Sequence, residues 1–171
     1  IAAAKGRGPQ LNAGVKKAVG EFFVFLHADT RMDQNGMNLM LAAWQDHVDP
    51  LFCGAFDLCI DSEKKVFRII EKIASARSRF TRIPYGDQGI FMSRQLFEKI
   101  NGFPDVPIME DVGIMSRVKK KGVHPLFLPH PVCTSARRWK KQGIIFTTFR
   151  NWALISLYFF GVPPRVLEKF Y

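Results

Sequence analysis

Residues 20–33 read Gly-Glu-Phe-Phe-Val-Phe-Leu-His-Ala-Asp-Thr-Arg-Met-Asp, an apolar run followed directly by polar residues. Five consecutive bulky apolar residues, Phe22 to Leu26, form a pattern typical of a strand buried on both faces inside a parallel sheet. We therefore predict a central strand here. His27 and Asp29 follow directly, which puts them at the carboxyl end of the strand, where ligands bind in open α/β sheets.

Asp29 is a candidate metal ligand. A carboxylate supplies the hard oxygen that Mg²⁺ or Mn²⁺ prefers, and an ion held there could clamp both phosphates of a nucleotide. Asp and Thr are also common helix caps, so Asp29 and Thr30 fit an ordinary turn before the next helix equally well. Spacing alone does not separate the two interpretations.

Composition limits the class of protein. The chain has 171 residues, of which 47% are hydrophobic and 13% aromatic, so we expect one globular domain with a substantial core. The formal net charge of +10 favours anionic partners such as nucleotide diphosphates or acidic lipid surfaces. Nucleic acid is not an expected partner, because the sequence shows neither a recognisable nucleic-acid-binding motif nor a set of aromatic residues interspersed with basic ones.

The three cysteines, Cys53, Cys59 and Cys133, form no CxxC pair. They therefore predict neither a disulfide framework nor a zinc site, and they fit a reducing, cytoplasmic compartment. The sequence does not open with a secretory signal, and Ile1 is not an initiator residue. We accordingly expect further sequence upstream of residue 1.

Hydrophobic periodicity predicts alternating helices and strands after the first strand, and hence an α/β fold. Helical spacing covers residues 13–19, 36–46, 66–80, 95–100 and 112–121, and strands are predicted at 51–60, 90–92 and 123–128. Asn12 fits the cap of the first of these helices. The strand at 51–60 alternates loosely, which indicates one polar face.

Three further segments carry candidate chemistry. Gly86 and Gly89 flank Asp87 and Gln88 in a turn that can approach a ligand closely, although a plain turn explains the glycines nearly as well. Glu110 and Asp111 begin a helix, where the helix dipole favours an ionised carboxylate; this suits a catalytic base and an ordinary N-terminal acid alike. The segment Thr134-Ser-Ala-Arg-Arg-Trp139 offers forked phosphate donors beside a flat aromatic face.

Together these segments resemble the family 2 glycosyltransferases, which have the GT-A fold. The stretch at 20–33 looks like the region of the DXD motif, and the blocks 86–91 and 109–112 follow in the family's order. The chain is most similar to a bacterial subgroup with the variant His-Ala-Asp-Thr, in which His27 replaces the first Asp. Arg138-Trp139 resembles the end of the QxxRW motif of processive relatives, but Ser135 stands at the Gln position, which argues against processive synthesis.

The resemblance implies a mixed sheet flanked by helices, with its first strands upstream of this sequence, and an inverting, hexosyltransferase-type enzyme. A nucleotide-diphospho-sugar would be the donor, a hydroxyl of a saccharide or of a lipid-linked molecule the acceptor, and Mg²⁺ or Mn²⁺ the cofactor. Asp111 would be the catalytic base, with Glu110 beside it, and Asp29 the metal ligand. The donor-binding candidates are Arg7, Gln10, Asn12, His27 and Asp29, and those for the sugar and acceptor are Gly86, Asp87, Gln88, Arg137, Arg138 and Trp139.

Residues 144–171 form a separate, strongly apolar segment after a catalytic domain predicted at 1–143. The uninterrupted apolar run, residues 152–162, is too short to span a bilayer, so we predict a helix that lies on an anionic inner membrane face or packs on the domain. Two rival functions remain open. One is a non-catalytic module that binds sugar nucleotides or a membrane surface. The other is a nucleotidyltransferase, which would need a Gly-rich loop with Lys or Arg to bind pyrophosphate, and Gly6-Arg7-Gly8 matches such a loop only weakly.

Overall fold

A computed structural model describes residues 2–171 as helices packed around one five-stranded sheet. The strands are β1 (Phe22–Phe25), β2 (Thr30–Arg31), β3 (Cys53–Asp61), β4 (Ile90–Ser93) and β5 (Leu126–Ser135). The helices are α1 (Arg7–Lys17), α2 (Gln34–Gln45), α3 (Lys65–Thr81), α4 (Arg94–Lys99), α5 (Glu110–Lys120), α6 (Arg137–Gln142), α7 (Ile144–Phe159) and α8 (Pro164–Leu167), with 3-10 turns at Gly86–Gln88 and Glu168–Phe170.

The sheet is mixed, with the strand order β1-β4-β3-β5-β2. Only β3 and β5 run parallel, and the other neighbouring strands of this sheet are antiparallel. The predicted α/β class and the predicted mixed sheet with flanking helices are therefore confirmed.

The strand after Gly20, predicted to be central once the expected upstream strands are present, lies at an edge of the sheet formed by residues 2–171. β1 pairs with β4 alone among the strands that the structure describes, and it does so antiparallel, which makes β1 an edge of this sheet. Its burial alternates: Phe23 and Phe25 are buried, whereas Val24 between them is exposed. An apolar run does not reveal how deeply each residue is buried: Phe23 and Phe25 belong to one core cluster, and Phe22 and Leu26 are only partly buried against another.

The central strand is β3, which pairs with β4 on one side and β5 on the other. Its first half is buried on both faces, so the predicted polar face is present only beyond Phe56. β5 begins three residues later than predicted and continues to Ser135, because a bulge opposite Phe56 and Asp57 takes up Pro129 and His130. A bulge is a place where a sheet tolerates the missing N–H of proline.

α5 is fixed by its buried face, in which Val112, Met115 and Val118 are inaccessible to solvent. These residues belong to the largest cluster of buried apolar side chains, the main core. The main core also contains Phe25 and Phe103, whose rings meet edge to face with centroids 4.9 Å apart. The helix is therefore held firmly against the sheet with its N-terminus near the turns that follow β1 and precede β4.

Cys59 and Cys133 form a disulfide bond, which corrects the prediction that no cysteines pair. The register of the parallel strands β3 and β5 places these two residues directly opposite each other. Cys53 remains a free, buried thiol.

α7 packs on the domain through one face. Leu154 is buried with Ile108 and Leu167, and Ile155 and Tyr158 contact the main core. Within residues 2–171, no helix has both the length and the apolar character that a membrane span requires.

Candidate active site

A single cleft gathers side chains from widely separated segments of the chain. It lies between the turn after β1, the 3-10 turn before β4, the start of α5, the junction of β5 with α6, and α7. Its lining consists of Arg7, His27, Asp29, Tyr85, Asp87, Ile108, Met109, Asp111, Val112, Thr134, Ser135, Arg138, Trp139, Asn151, Leu154, Ile155 and Tyr171.

The turn that carries Asp29 is tied to the end of β5. The Ser135 backbone N–H donates to the Asp29 carbonyl oxygen over 3.1 Å, and the Thr30 and Thr134 hydroxyls are 3.3 Å apart. A second bond, from the Thr30 N–H to the His27 carbonyl (3.0 Å), closes the turn itself. The Asp29 carboxylate is consequently presented to the cleft from a fixed backbone position.

Asp111 stands at the first turn of α5, and both of its carboxylate oxygens accept a backbone hydrogen bond. Oδ2 accepts from the Gly86 N–H over 2.7 Å, and Oδ1 accepts from the Val112 N–H over 2.8 Å. These two bonds fix the orientation of the carboxylate. Each oxygen retains a lone pair for a further partner.

Gly86 lies against His27. A Cβ atom on residue 86 would be 2.4 Å from His27 Nε2, so only glycine fits this position without movement of the imidazole. Burial, assisted by the positive charge of Arg7, lowers the pKa of His27. The imidazole is therefore neutral at neutral pH and can act as a ligand or a hydrogen-bond acceptor.

Asp87 is the most perturbed carboxyl group in the cleft. Burial, reinforced by the negative charge of Asp111, raises the pKa of Asp87 to about 6. Its Oδ1 is buried and has no hydrogen-bond partner within the described residues. A buried carboxylate oxygen without a partner costs free energy unless a ligand or water satisfies it, which marks Asp87 as a candidate binding residue.

Arg7 and Glu110 form an ion pair behind the cleft. Arg7 Nε lies 2.8 Å from Glu110 Oε1, and the Glu110 side chain is almost fully buried. Burial, together with the neighbouring charge of Asp111, raises the pKa of Glu110, and Arg7 opposes that shift. Glu110 is not among the residues that line the cleft, whereas Arg7 is, so Glu110 holds Arg7 from behind.

The β5–α6 junction supplies Arg138 and Trp139. The Trp139 ring packs edge-on against Phe67 at 5.9 Å, and its Nε1 is buried without a hydrogen-bond partner in the described part of the chain. Arg138 hydrogen-bonds to the Tyr171 hydroxyl, and its guanidinium group also lies 4.6 Å from the centre of the Tyr171 ring. A cationic and an aromatic group thus border the same end of the cleft.

Besides Glu110 and Gly86, four predicted site residues lie outside the cleft lining. Gln10 is exposed on α1 and Arg137 on α6. The Asn12 side chain is used internally: it donates to the Phe103 carbonyl and accepts from the Phe103 N–H, both over 2.9 Å, from inside α1, which begins at Arg7 and not after Asn12. Their predicted contacts with substrate gain no support from the geometry.

Gln88 is the fourth of these residues. It is fully buried, donates to the Phe56 carbonyl over 3.1 Å and accepts from the Tyr85 N–H over 3.1 Å. Its amide therefore braces the turn that presents Gly86 and Asp87.

Tyr85, Asn151 and Tyr171 line the cleft but were not predicted from the sequence. The sequence does point to Asn151, because it interrupts a strongly apolar helix, where burying a polar side chain costs free energy unless it has a hydrogen-bond partner. Tyr85 is held by Arg77, whose guanidinium lies 3.4 Å from the ring centre. No sequence pattern marks Tyr171.

A divalent ion would find few protein ligands here. Between residues 2 and 171 there is no group of three His, Cys, Asp or Glu residues that could hold a metal. The cleft does present the exposed carboxylate of Asp29, and Asp87 adds a buried oxygen without a partner. Magnesium is commonly bound by one or two carboxylates together with water and substrate phosphates. The donor set fits an ion shared with a phosphorylated ligand, and not a site built by protein alone.

Comparison with known proteins gives one family. The family model described as "Glycosyl transferase family 2" matches residues 2–101, which is more than half of the chain and includes the turn with Asp29 and the turn with Asp87. Neither curated proteins nor solved structures give a significant match. The mixed sheet flanked by helices agrees with a GT-A-like fold. The chain therefore belongs to glycosyl transferase family 2.

Proposed function

We propose that this glycosyltransferase transfers a hexose, with inversion at the anomeric carbon, from a nucleotide-diphospho-sugar to a hydroxyl group of a saccharide or of a lipid-linked acceptor. The observation that carries the proposal is the presence of Asp29 and Asp111 in one cleft, although they are far apart in the sequence. A displacement with inversion needs a base on one face of the sugar and a stabilised leaving group on the other, and the two carboxylates can divide these roles.

The leaving group is the nucleoside diphosphate. Arg7 and Arg138 line the cleft and offer forked donors that match phosphate oxygens. Asp29, with the neutral imidazole of His27 beside it, would hold a divalent ion, which supplies charge neutralisation for the departing diphosphate. Glu110 acts as a positioning residue because it fixes Arg7 through their ion pair.

Asp111 is the proposed base. The acceptor oxygen attacks the anomeric carbon from the side opposite the diphosphate, and its proton passes to a carboxylate oxygen of Asp111. As the new carbon–oxygen bond forms, the bond from the anomeric carbon to the phosphate oxygen breaks, and its electron pair leaves with the nucleoside diphosphate. The N–H groups of Gly86 and Val112 hold the Asp111 carboxylate in place for this transfer.

Sugar and acceptor would meet Asp87 and Trp139. The Asp87 oxygen that lacks a partner would accept a hydrogen bond from a sugar hydroxyl, and the unpartnered Trp139 Nε1 would donate one. The Trp139 ring adds an apolar face of the kind that sugar rings stack on. Gly86 allows the turn that carries Asp87 to lie close to His27.

The test is product analysis with the full-length protein, a panel of nucleotide-sugars, Mg²⁺ or Mn²⁺, and saccharide or lipid-linked acceptors. We expect release of nucleoside diphosphate and a product of inverted configuration, read by NMR of the anomeric proton. Retained configuration would refute inversion. Release of pyrophosphate would indicate a nucleotidyltransferase, and donor binding without turnover under any acceptor would indicate a non-catalytic module.

A further inference from the structure

We propose that α7 is a membrane-docking helix that lies along an anionic bilayer surface with its outward face in the headgroup region. This surface is separate from the reaction proposed for the cleft, and its test does not depend on turnover. Two observations carry it: the domain leaves an apolar face of α7 exposed, and the surrounding segment is strongly cationic.

The outward face of α7 bears large apolar side chains that the domain does not cover. Ile145 is 73% exposed, Phe146 61% and Phe149 63%, and the exposed series continues with Trp152 and Phe159, about one and three turns beyond Phe149. Positions 145, 149 and 152 follow the helical spacing of i, i+4 and i+7, so these side chains form one stripe. A contiguous exposed apolar patch of this kind marks an interaction surface.

The inward face of α7 is mixed: Leu154 is buried and Ile155 and Tyr158 contact the core, and polar side chains lie between them. Thr147 is fully buried, and its hydroxyl lacks a hydrogen-bond partner within residues 2–171, as do the Asn151 carbonyl and two Arg150 nitrogens. Asn151 also lines the cleft. α7 therefore already packs on the domain through Leu154, Ile155 and Tyr158, and its exposed apolar stripe is additional to that packing. An apolar stripe that the domain leaves uncovered is available to a partner of its own.

The positive charge around α7 favours an anionic partner. Residues 137–171 contain seven Lys or Arg residues and one acidic residue, Glu168. Arg137, Lys140 and Lys141 are exposed on α6, directly before the apolar stripe begins. An aromatic-rich apolar face beside a cluster of cations matches the interface of an anionic membrane, where each Lys or Arg adds attraction to the lipid headgroups.

The geometry of α7 favours lying on the bilayer. Its 16 residues span about 24 Å at 1.5 Å per residue, and Arg150 and Asn151 interrupt the apolar sequence. Docking through the outward face would leave the inward residues Asn151, Leu154 and Ile155 in the wall of the cleft. The cleft would then lie close to the membrane surface.

Sedimentation with lipid vesicles tests the proposal. We expect the full-length protein to bind vesicles that contain phosphatidylserine or phosphatidylglycerol, and to bind pure phosphatidylcholine vesicles at least tenfold more weakly. Binding to the anionic vesicles should fall steeply between 0.05 and 0.5 M salt, because screening removes the electrostatic part. Equal binding to both kinds of vesicle, or binding to neither, would refute the proposal.

Matched variants identify the surface. Phe146→Gln with Phe149→Gln should weaken anionic binding at least tenfold, and so should Lys140→Gln with Lys141→Gln. The controls are Val48→Gln with Phe80→Gln, two exposed apolar residues elsewhere, and Lys16→Gln with Lys17→Gln at the end of α1. All four pairs are on the surface, and thermal unfolding checks that each variant folds.

Loss of binding in the controls as well would mean non-specific adsorption and would refute the proposal. The competing occupant is a second copy of the chain. If size-exclusion chromatography with light scattering shows a dimer that Phe146→Gln with Phe149→Gln dissociates, while vesicle binding is absent, the face is a dimer interface and the membrane proposal is wrong.

Discussion

Gly86 donates its backbone N–H to Oδ2 of Asp111 over 2.7 Å, which joins the turn before β4 to the first turn of α5. The same glycine is in contact with His27, because a Cβ atom on residue 86 would lie 2.4 Å from the imidazole Nε2. One residue without a side chain thus brings a proposed base and a residue of the proposed donor site into the same cleft.

Gly86→Ala should disturb both contacts. The added methyl group must displace the imidazole of His27 or the turn itself, and such overpacking typically costs about 1–3 kcal/mol of stability. We expect this loss in urea unfolding, together with a lower kcat. The control is Gly14→Ala inside α1, where a Cβ meets nothing within 4 Å and where Ala should add about 0.5–1 kcal/mol. Wild-type stability and kcat in Gly86→Ala would contradict the role given to this contact.

Asp111→Asn tests the base. Asn keeps the shape of the side chain and can still accept the Gly86 N–H, but it cannot take up the acceptor proton. We expect kcat to fall by roughly a hundred- to ten-thousand-fold, the range typical of a general base, with nearly unchanged donor affinity. Asp105→Asn, at an exposed position outside the cleft lining, is the control. Transfer at the wild-type rate by Asp111→Asn would assign the base elsewhere, and Asp87 would be the next candidate.

Asp29→Ala tests the metal ligand separately from catalysis. The side chain is exposed to the cleft, so the fold should survive its loss. Calorimetry with nucleotide-sugar should show that Mg²⁺ or Mn²⁺ strengthens donor binding to the wild type and to Asp105→Asn. It should show no such effect for Asp29→Ala. Metal-dependent affinity that is unchanged in Asp29→Ala would remove this residue from the metal site.

The sequence predicted the positions of most elements because their periodicity is local. It predicted a strand buried on both faces in a parallel sheet at Phe22 to Leu26, whereas β1 pairs antiparallel with β4 and exposes Val24, because an apolar run is compatible with either arrangement. It ended the last strand too early because Pro129 and Pro131 argue against a strand. The bulge opposite Phe56 and Asp57 accommodates them, and a bulge depends on the neighbouring strand, which local patterns do not encode.

The same holds for the site: residues in local motifs could be predicted, and residues brought together only by the fold could not. Asp29, Asp87 and Asp111 were found because they sit in short motifs that resemble those of the family, and all three line the cleft. Tyr171 was missed because its place beside Arg138 is a product of how α7 and α8 return to the domain. The Cys59–Cys133 pair was missed for a similar reason: the cysteines are 74 positions apart, and only the β3–β5 register brings them together.

That disulfide makes a prediction about thiol content. When the purified, unreduced protein is unfolded in denaturant, we expect thiol titration to find only Cys53, and reduction should release Cys59 and Cys133 as well. Closing a loop of 74 residues is expected to contribute about 4 kcal/mol through the unfolded chain, so reduction should lower the free energy of unfolding by an amount of that order. Cys133→Ala should reproduce the effect, and reduction should then change nothing further. Three free thiols in the unreduced protein would contradict the bond.

Asp87 should make stability depend on pH in an unusual direction for a carboxylate. Burial raises the pKa of Asp87 from an ordinary 3.8 to about 6, so the folded state binds the proton more tightly than the unfolded state does. The contribution of Asp87 to stability is therefore complete below about pH 4 and is lost as the pH rises through about 6. The difference between the two pKa values corresponds to about 3 kcal/mol at neutral pH, an order-of-magnitude figure.

Asp87→Asn removes the carboxylate charge, so its stability should not fall as the pH rises through the raised pKa of Asp87. Urea unfolding should show that Asp87→Asn gains stability over the wild type between pH 4 and pH 7, by up to about 3 kcal/mol, whereas Asp105→Asn should show no such gain. If the oxygen of Asp87 that lacks a partner also binds a sugar hydroxyl, the more stable Asp87→Asn protein should bind the nucleotide-sugar more weakly. A stability difference between Asp87→Asn and the wild type that is the same at pH 4 and pH 7 would show that the Asp87 carboxyl group titrates normally in the folded protein.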